Sequence, residues 1–174
     1  MRKYTTLLPG VAEMSQAIQK QGIKIGSTTG FVRSMVDILE ADAKTQGYVP
    51  DASVAGDEVF NGARPKPFMV YRNLDMLDVH PIQSVIKVDD TLSGIGEALE
   101  AGCWGVGIAR YSNYMDINSL EEADAMDLAD FERRVEKSRQ ILRSGGPHYV
   151  IDEPSELIDV VADVNARLAC GERP

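Results

Sequence analysis

Three short stretches carry side chains that could act on one ligand. "STTG" (27–30) offers the hydroxyls of Thr28 and Thr29 beside Gly30. "NGARPKP" (61–67) presents Arg64 between a glycine and two prolines. "IKVDDT" (86–91) ends a β-branched run in two carboxylates, Asp89 and Asp90. Hydroxyls and backbone N–H groups at a helix N-terminus form a cradle for an anion. A guanidinium fork matches phosphoryl or phosphonyl oxygens with two parallel bonds. Carboxylates at a strand end suit Mg²⁺, which takes one or two of them together with water and substrate oxygens. Each stretch also has a plainer reading. "STTG" and the Asp89–Asp90 pair could cap the helices that follow, and Arg64 could be a solvated surface residue.

The elements around these residues decide between the readings. Apolar spacing predicts a helix over 10–21, with Val11, Met14 and Ile18 on one face, and another over 31–46 turning Val32, Met35, Val36 and Leu39 inward. Pro65 opens a third helix carrying Phe68, Tyr71, Leu74 and Leu77. Further helices are predicted over 93–101, over 127–144, and at the end of the chain with Leu157, Val161, Val164 and Leu168. Strands are predicted over 23–27, 52–56, 84–88, 104–109 and 148–151. Ser119 and Glu122 have the spacing of a capping box. Residues 110–118 read as a surface loop.

Strands alternating with helices define an α/β chain: a Rossmann-like parallel sheet with helices on both faces. Ligands of such sheets bind beyond the carboxyl ends of the strands. All three stretches follow a strand end, which favours one anion-plus-magnesium site over three coincidental caps. Thr28, Thr29, Gly30 and Arg64 are the anion-binding candidates. Asp90 is the candidate Mg²⁺ ligand, with Asp89 as a second or supporting carboxylate.

Composition excludes several alternatives. The chain has 174 residues, 44% of them apolar, which suits one domain over 1–174. No apolar run approaches the roughly 20 residues of a membrane span, and the first residues lack the apolar core of a signal peptide. Cys103 and Cys170 form no metal spacing and read as reduced thiols of a cytoplasmic protein. A formal charge of −9 argues against nucleic-acid binding.

The order strand–"TTG", "RPKP", "KVDDT" resembles motifs two, three and four of the haloacid dehalogenase superfamily of phosphotransferases. "GIKIGSTTGF", "GARPKPFMVYRNL", "IKVDDTLSGI", "EAGCWGVGIA" and "GPHYVIDEPSEL" are similar, more specifically, to the phosphonoacetaldehyde hydrolase family, and together span nearly the whole chain. The resemblance implies Mg²⁺-dependent hydrolysis of the carbon–phosphorus bond of phosphonoacetaldehyde to acetaldehyde and phosphate. It assigns phosphoryl contacts to Thr29 and Gly30, the motif-three cation to Arg64 and the motif-four metal ligand to Asp90. Asp89 stands where some relatives have glycine, Gly94 where some place another acid, and Phe31 where some have tyrosine.

The same resemblance implies a nucleophilic aspartate on a first, central strand, lying between those that end in "STTG" and "VDDT". It also implies a lysine in a helical cap that forms a Schiff base with the aldehyde. Neither has a counterpart here, and Lys3, Lys20 and Lys24 match no such position. The expectation is the C-terminal portion of the core, without the cap and inactive alone. A homo-oligomer or a separate N-terminal half would complete it, and a small phosphonate or phosphate would be the ligand. Two other functions fit the residues. One is a non-catalytic phosphate-binding or assembly remnant. The other is a different superfamily phosphatase, such as a phosphosugar or phosphoglycolate enzyme, against which "GARPKP" and the tail weigh.

Overall fold

A computed structural model describes residues 5–62 and 64–174; Lys3 lies outside them. Five strands alternate with helices: α1 (Val11–Gln19), β1 (Gly26–Thr28), α2 (Arg33–Thr45), β2 (Ala52–Val54), α3 (Phe68–Leu77), β3 (Ile86–Asp89), α4 (Leu92–Ala101), β4 (Trp104–Ile108), α5 (Leu120–Ala125), α6 (Leu128–Ser144), β5 (Tyr149–Ile151) and α7 (Leu157–Ala169). Every pairing is parallel, as the sequence predicts. The described strands nevertheless form two sheets rather than one. β1 pairs with β2, Gly26 opposite Ala52, and β3, β4 and β5 form the second, Ile86 opposite Trp104 and Val106 opposite Tyr149. β1 and β3 share no ladder.

β4 lies at the centre of the larger sheet, and its alternation "WGVGI" sets the layers. Trp104 and Val106 pack with Ile18 of α1 and with Val160, Val161 and Val164 of α7. On the opposite face, a Cβ at Gly105 would stand 3.4 Å from Ala98 Cβ, and one at Gly107 3.3 Å from Leu142 Cβ. The two glycines therefore let α4 and α6 approach the sheet. Trp104 satisfies its indole N–H on the Gln83 carbonyl at 2.9 Å, as a buried indole must.

Several local expectations are corrected. α3 starts at Phe68 with Pro67 at its N-cap, not at Pro65. Pro67 bars Lys66 from helical backbone, so the helix waits until the second proline has passed. Its buried face is Met69, Val70, Asn73 and Leu77, while Phe68 and Tyr71 are exposed. In α2 only Val36 is buried and Val32 is exposed. Residues 110–118 are more than a surface loop. A 3₁₀ turn at Asn113–Met115 buries Met115, and buried Ser112 meets Ser138 of α6, hydroxyl to hydroxyl, at 2.6 Å. Ser119 caps α5 by accepting from Glu122 N at 3.1 Å, but the Glu122 carboxylate turns to Asn118 N instead of closing the box on Ser119. No helix among the described residues is long and apolar enough to cross a membrane.

Candidate active site

The ends of β1 and β3 face each other across a polar slot. Beyond β1, Thr29 N donates to the Val54 carbonyl at 3.1 Å and hooks the turn to β2. A Cβ at Gly56 would lie 2.8 Å from the Gly30 carbonyl oxygen, so these two turns sit in direct backbone contact. Thr29 Oγ1 accepts from Phe31 N at 3.2 Å. The N-cap of α2 is Val32, and it caps with no side chain. "STTG" is thus a turn ahead of the helix, and neither of its hydroxyls is the cap.

Beyond β3, the N-cap of α4 is Thr91, whose Oγ1 accepts from Gly94 N at 3.1 Å. Asp89 braces that cap: its Oδ1 accepts from Thr91 N at 3.0 Å and from Thr91 Oγ1 at 2.7 Å. Its Oδ2 meets Lys87 Nζ at 3.1 Å and Arg64 Nη1 at 3.2 Å. Burial by itself would raise the Asp89 pKa. The charges of Lys87 and Arg64 and the Thr91 bonds outweigh it and hold the carboxyl below the usual range.

Arg64 bridges the slot. Its Nη2 donates to the Thr28 carbonyl at 2.7 Å and lies 3.4 Å from Thr28 Oγ1, while Nε stands 3.3 Å from Glu97 Oε2. Lys87 Nζ reaches both Glu97 Oε2, at 3.2 Å, and Thr28 Oγ1, at 3.5 Å. Glu97 is wholly buried, and its contacts with both cations lack hydrogen-bond geometry. Two cations and two carboxylates therefore neutralise one another between the strand ends. Removing any one would leave an uncompensated buried charge.

Asp90 is placed differently. Among the described residues it forms no salt bridge, and its Oδ2 accepts from Asn113 N at 3.4 Å. Burial, together with the neighbouring Asp89 charge, pushes its pKa up, as for a carboxylate that a bound cation would stabilise. Tyr114 holds the same loop down, its hydroxyl oxygen accepting from Leu92 N at the start of α4 at 2.9 Å.

The sequence candidates Thr28, Arg64 and Asp89 are in direct contact. Thr29 and Gly30 follow in the same turn, and Asp90 lies next to Asp89 on the adjoining loop. Lys87, Glu97 and Tyr114 were not anticipated. Lys87 had a signal: it stands two residues before Asp89, hence on the same face of the strand. Glu97 had another, as an acid set among Ile95, Ala98 and Ala101 of α4. For Tyr114 the sequence holds none.

A magnesium ion fits this donor set in part. Among the described residues no group of three or more His, Cys, Asp or Glu could hold a metal. Both Asp89 oxygens are engaged by Thr91, Lys87 and Arg64. Asp90 can serve as one ligand, the others coming from water, from the bound anion or from another chain segment.

No family model matches the chain. A Had-superfamily hydrolase from Ehrlichia chaffeensis superposes with a TM-score of 0.54 at 17% identity over 79% of this chain and 60% of its own, a likeness of fold alone. The chain is an α/β protein with the Rossmann-like core of the haloacid dehalogenase superfamily hydrolases. In sequence it is similar to phosphonoacetaldehyde hydrolases. The phosphonoacetaldehyde hydrolase of Klebsiella pneumoniae subsp. pneumoniae is 40% identical over 171 residues, covering 98% of this chain and 63% of that protein. The crystal structure of a phosphonoacetaldehyde hydrolase-like protein from Oleispira antarctica superposes with a TM-score of 0.92 at 38% identity, over 98% of this chain and 61% of that one. The chain thus spans about three fifths of the length of the relatives it matches.

Proposed function

We propose that this chain is the phosphonyl- and metal-binding part of a phosphonoacetaldehyde hydrolase, and that it works on the carbon–phosphorus bond only when a further strand completes the slot. The observation that carries the reading is Arg64. It joins the end of β1, through Thr28, to the end of β3, through Asp89, so that the two candidate regions become one site. In this reading Thr28, Thr29, Gly30 and Arg64 bind the phosphonyl oxygens. Mg²⁺ would be held by Asp90, where it would offset charge on those oxygens.

Carbon–phosphorus hydrolysis also needs a nucleophile to take phosphorus and an electron sink for the departing carbon. No residue of the slot is assigned to either task. That supports a second reading, in which the chain holds phosphate-like anions without turning them over. The carboxylates facing the slot, Asp89 and Glu97, are already paired with Arg64 and Lys87 and are not poised to attack.

Mixing the purified chain with the N-terminal half of a homologous hydrolase tests the proposal. Acetaldehyde release with Mg²⁺, and borohydride trapping of an imine on the added half, should appear only in the mixture. Phosphate binding by the chain with no turnover in any mixture would favour the second reading.

A further inference from the structure

The turn that carries Thr29 and Gly30 is stitched to the turn that follows β2. Gly56 N donates to the Phe31 carbonyl at 2.8 Å, and Arg33 N, the first N–H of α2, donates to Asp57 Oδ1 at 2.9 Å. α2 thus takes from another element the side-chain cap that Val32 cannot give. The Arg33 guanidinium folds back along β2. Its Nη2 donates to the Ser53 carbonyl at 3.0 Å and to Glu58 Oε2 at 2.6 Å, and its Nη1 to Ser53 Oγ at 3.0 Å. Glu58 Oε2 in turn accepts from Ala55 N at 2.7 Å. Ala52 and Val54 bond to β1, so the backbone groups of Ser53 and Ala55 point the other way, along the outer edge of β2. On that edge Arg33 and Glu58 take the place of a neighbouring strand, one donating and the other accepting. The Arg33 hydrogen bond holds the Glu58 carboxyl below the usual range.

We propose that Asp57 and Glu58 are positioning residues for the anion-binding turn: they fix the start of α2, and with it Thr29 and Gly30, against the end of β2. Neither carboxylate touches the anion in this role. They set the place of the hydroxyl and backbone groups that do. Both side chains of the Arg33–Glu58 pair are more than a quarter exposed, so the pair adds little to global stability. Its effect is local, because each partner also satisfies an edge group of β2 that would otherwise be released. Only the ligand arm of the test rests on the proposed anion-binding role of the turn.

Wild type, Asp57→Ala and Glu58→Gln are compared with Asp152→Asn, whose pair with Arg139 lies beyond β5. Each is followed by thermal melting, by the ¹H–¹⁵N signals and hydrogen exchange of the Thr29 and Gly30 amides, and by calorimetry with inorganic phosphate. Asp57→Ala and Glu58→Gln should move both amide signals, speed their exchange and weaken phosphate binding about 5-fold or more. Asp152→Asn should lower the melting temperature at least as much, yet leave the two signals and the phosphate affinity as in wild type. Should Glu58→Gln fail to fold, Arg33→Lys replaces it, since a lysine keeps the charge but cannot serve Ser53 and Glu58 together. Amide signals or a phosphate affinity unmoved in either variant, or an equal loss of affinity in Asp152→Asn, would overturn the proposal. Wild type that binds no phosphate would defeat the anion role of the turn, while the amide signals still decide the positioning.

Discussion

Asp89 and Asp90 are neighbours with opposite fates. Asp89 is saturated by Thr91, Lys87 and Arg64, whereas Asp90 forms no salt bridge among the described residues and is pushed toward its neutral form by burial and by Asp89. A divalent cation relieves exactly that kind of strain on a carboxylate. With the complementing half present, Asp90→Asn is expected to weaken Mg²⁺ binding on the order of 10-fold or more, about 1.4 kcal/mol, in a calorimetric titration. Asp89→Asn should change the metal titration far less and lower the melting temperature instead. Arg64→Lys keeps the charge but cannot reach Thr28, Asp89 and Glu97 together. Phosphate affinity should fall by about 1–3 kcal/mol, and an unchanged phosphate titration would remove Arg64 from the anion site.

The elements behind the site are held by contacts that the chemistry does not use. Gly107 of β4 sits against Leu142 of α6 and Ile95 of α4. Gly107→Val should overpack that layer and cost about 1–3 kcal/mol in a denaturant melt. α6 is also tied to the chain beyond β5, where Arg139 Nε donates to Asp152 Oδ1 at 2.7 Å and Nη2 to Oδ2 at 2.5 Å. The Arg139 hydrogen bonds hold the Asp152 carboxyl below the usual range. Its folded pKa is thus lower than its unfolded one. The stabilisation is complete above the unfolded value, about pH 4, and is lost as pH falls through the folded value. Both side chains are about a quarter exposed, so solvent screening keeps the pair near 1 kcal/mol. Asp152→Asn should lower stability by about that much at pH 7 and by progressively less below pH 4, as followed by urea melts across that range.

At the scale of the molecule, the slot governs behaviour. β4 is buried along nearly its length, while most of β3 and all of β1 are half-buried or exposed, and these two strands are linked by side chains and not by a ladder. Unpaired strand edges recruit partners. Hydrogen exchange should therefore protect β4 amides far more than those of β1, and addition of the complementing half should slow exchange in β1 and β3. The chain alone should self-associate in sedimentation and release no acetaldehyde. Protection of β1 equal to that of β4 in an isolated monomer would mean that the slot is already closed.

Much of this was legible along the chain. The β-branched runs and 3.6-residue apolar spacing determined the order of elements and their parallel class, because the period of burial is written in neighbouring residues. "STTG", "GARPKP" and "KVDDT" named Thr28, Arg64 and the aspartates as site candidates, since turn residues after strands fall at one edge of a parallel sheet. Helix starts and loop burial were harder to read. The start of α3 depended on a second proline, and Ser112 and Met115 were buried by a distant helix. A supporting role for Asp89 beside Asp90 was readable, but the partners that neutralise it were beyond local reading. Asp89 is neutralised by Arg64 from 25 residues upstream and accommodated by the bare backbone of Gly94. Lys87 and Glu97 complete a charge balance whose members lie on different elements. Pairing of charges and possession of a shared volume are properties of points in space, so only the tertiary structure could decide which groups neutralise Asp89 and that Asp90 forms no salt bridge among the described residues.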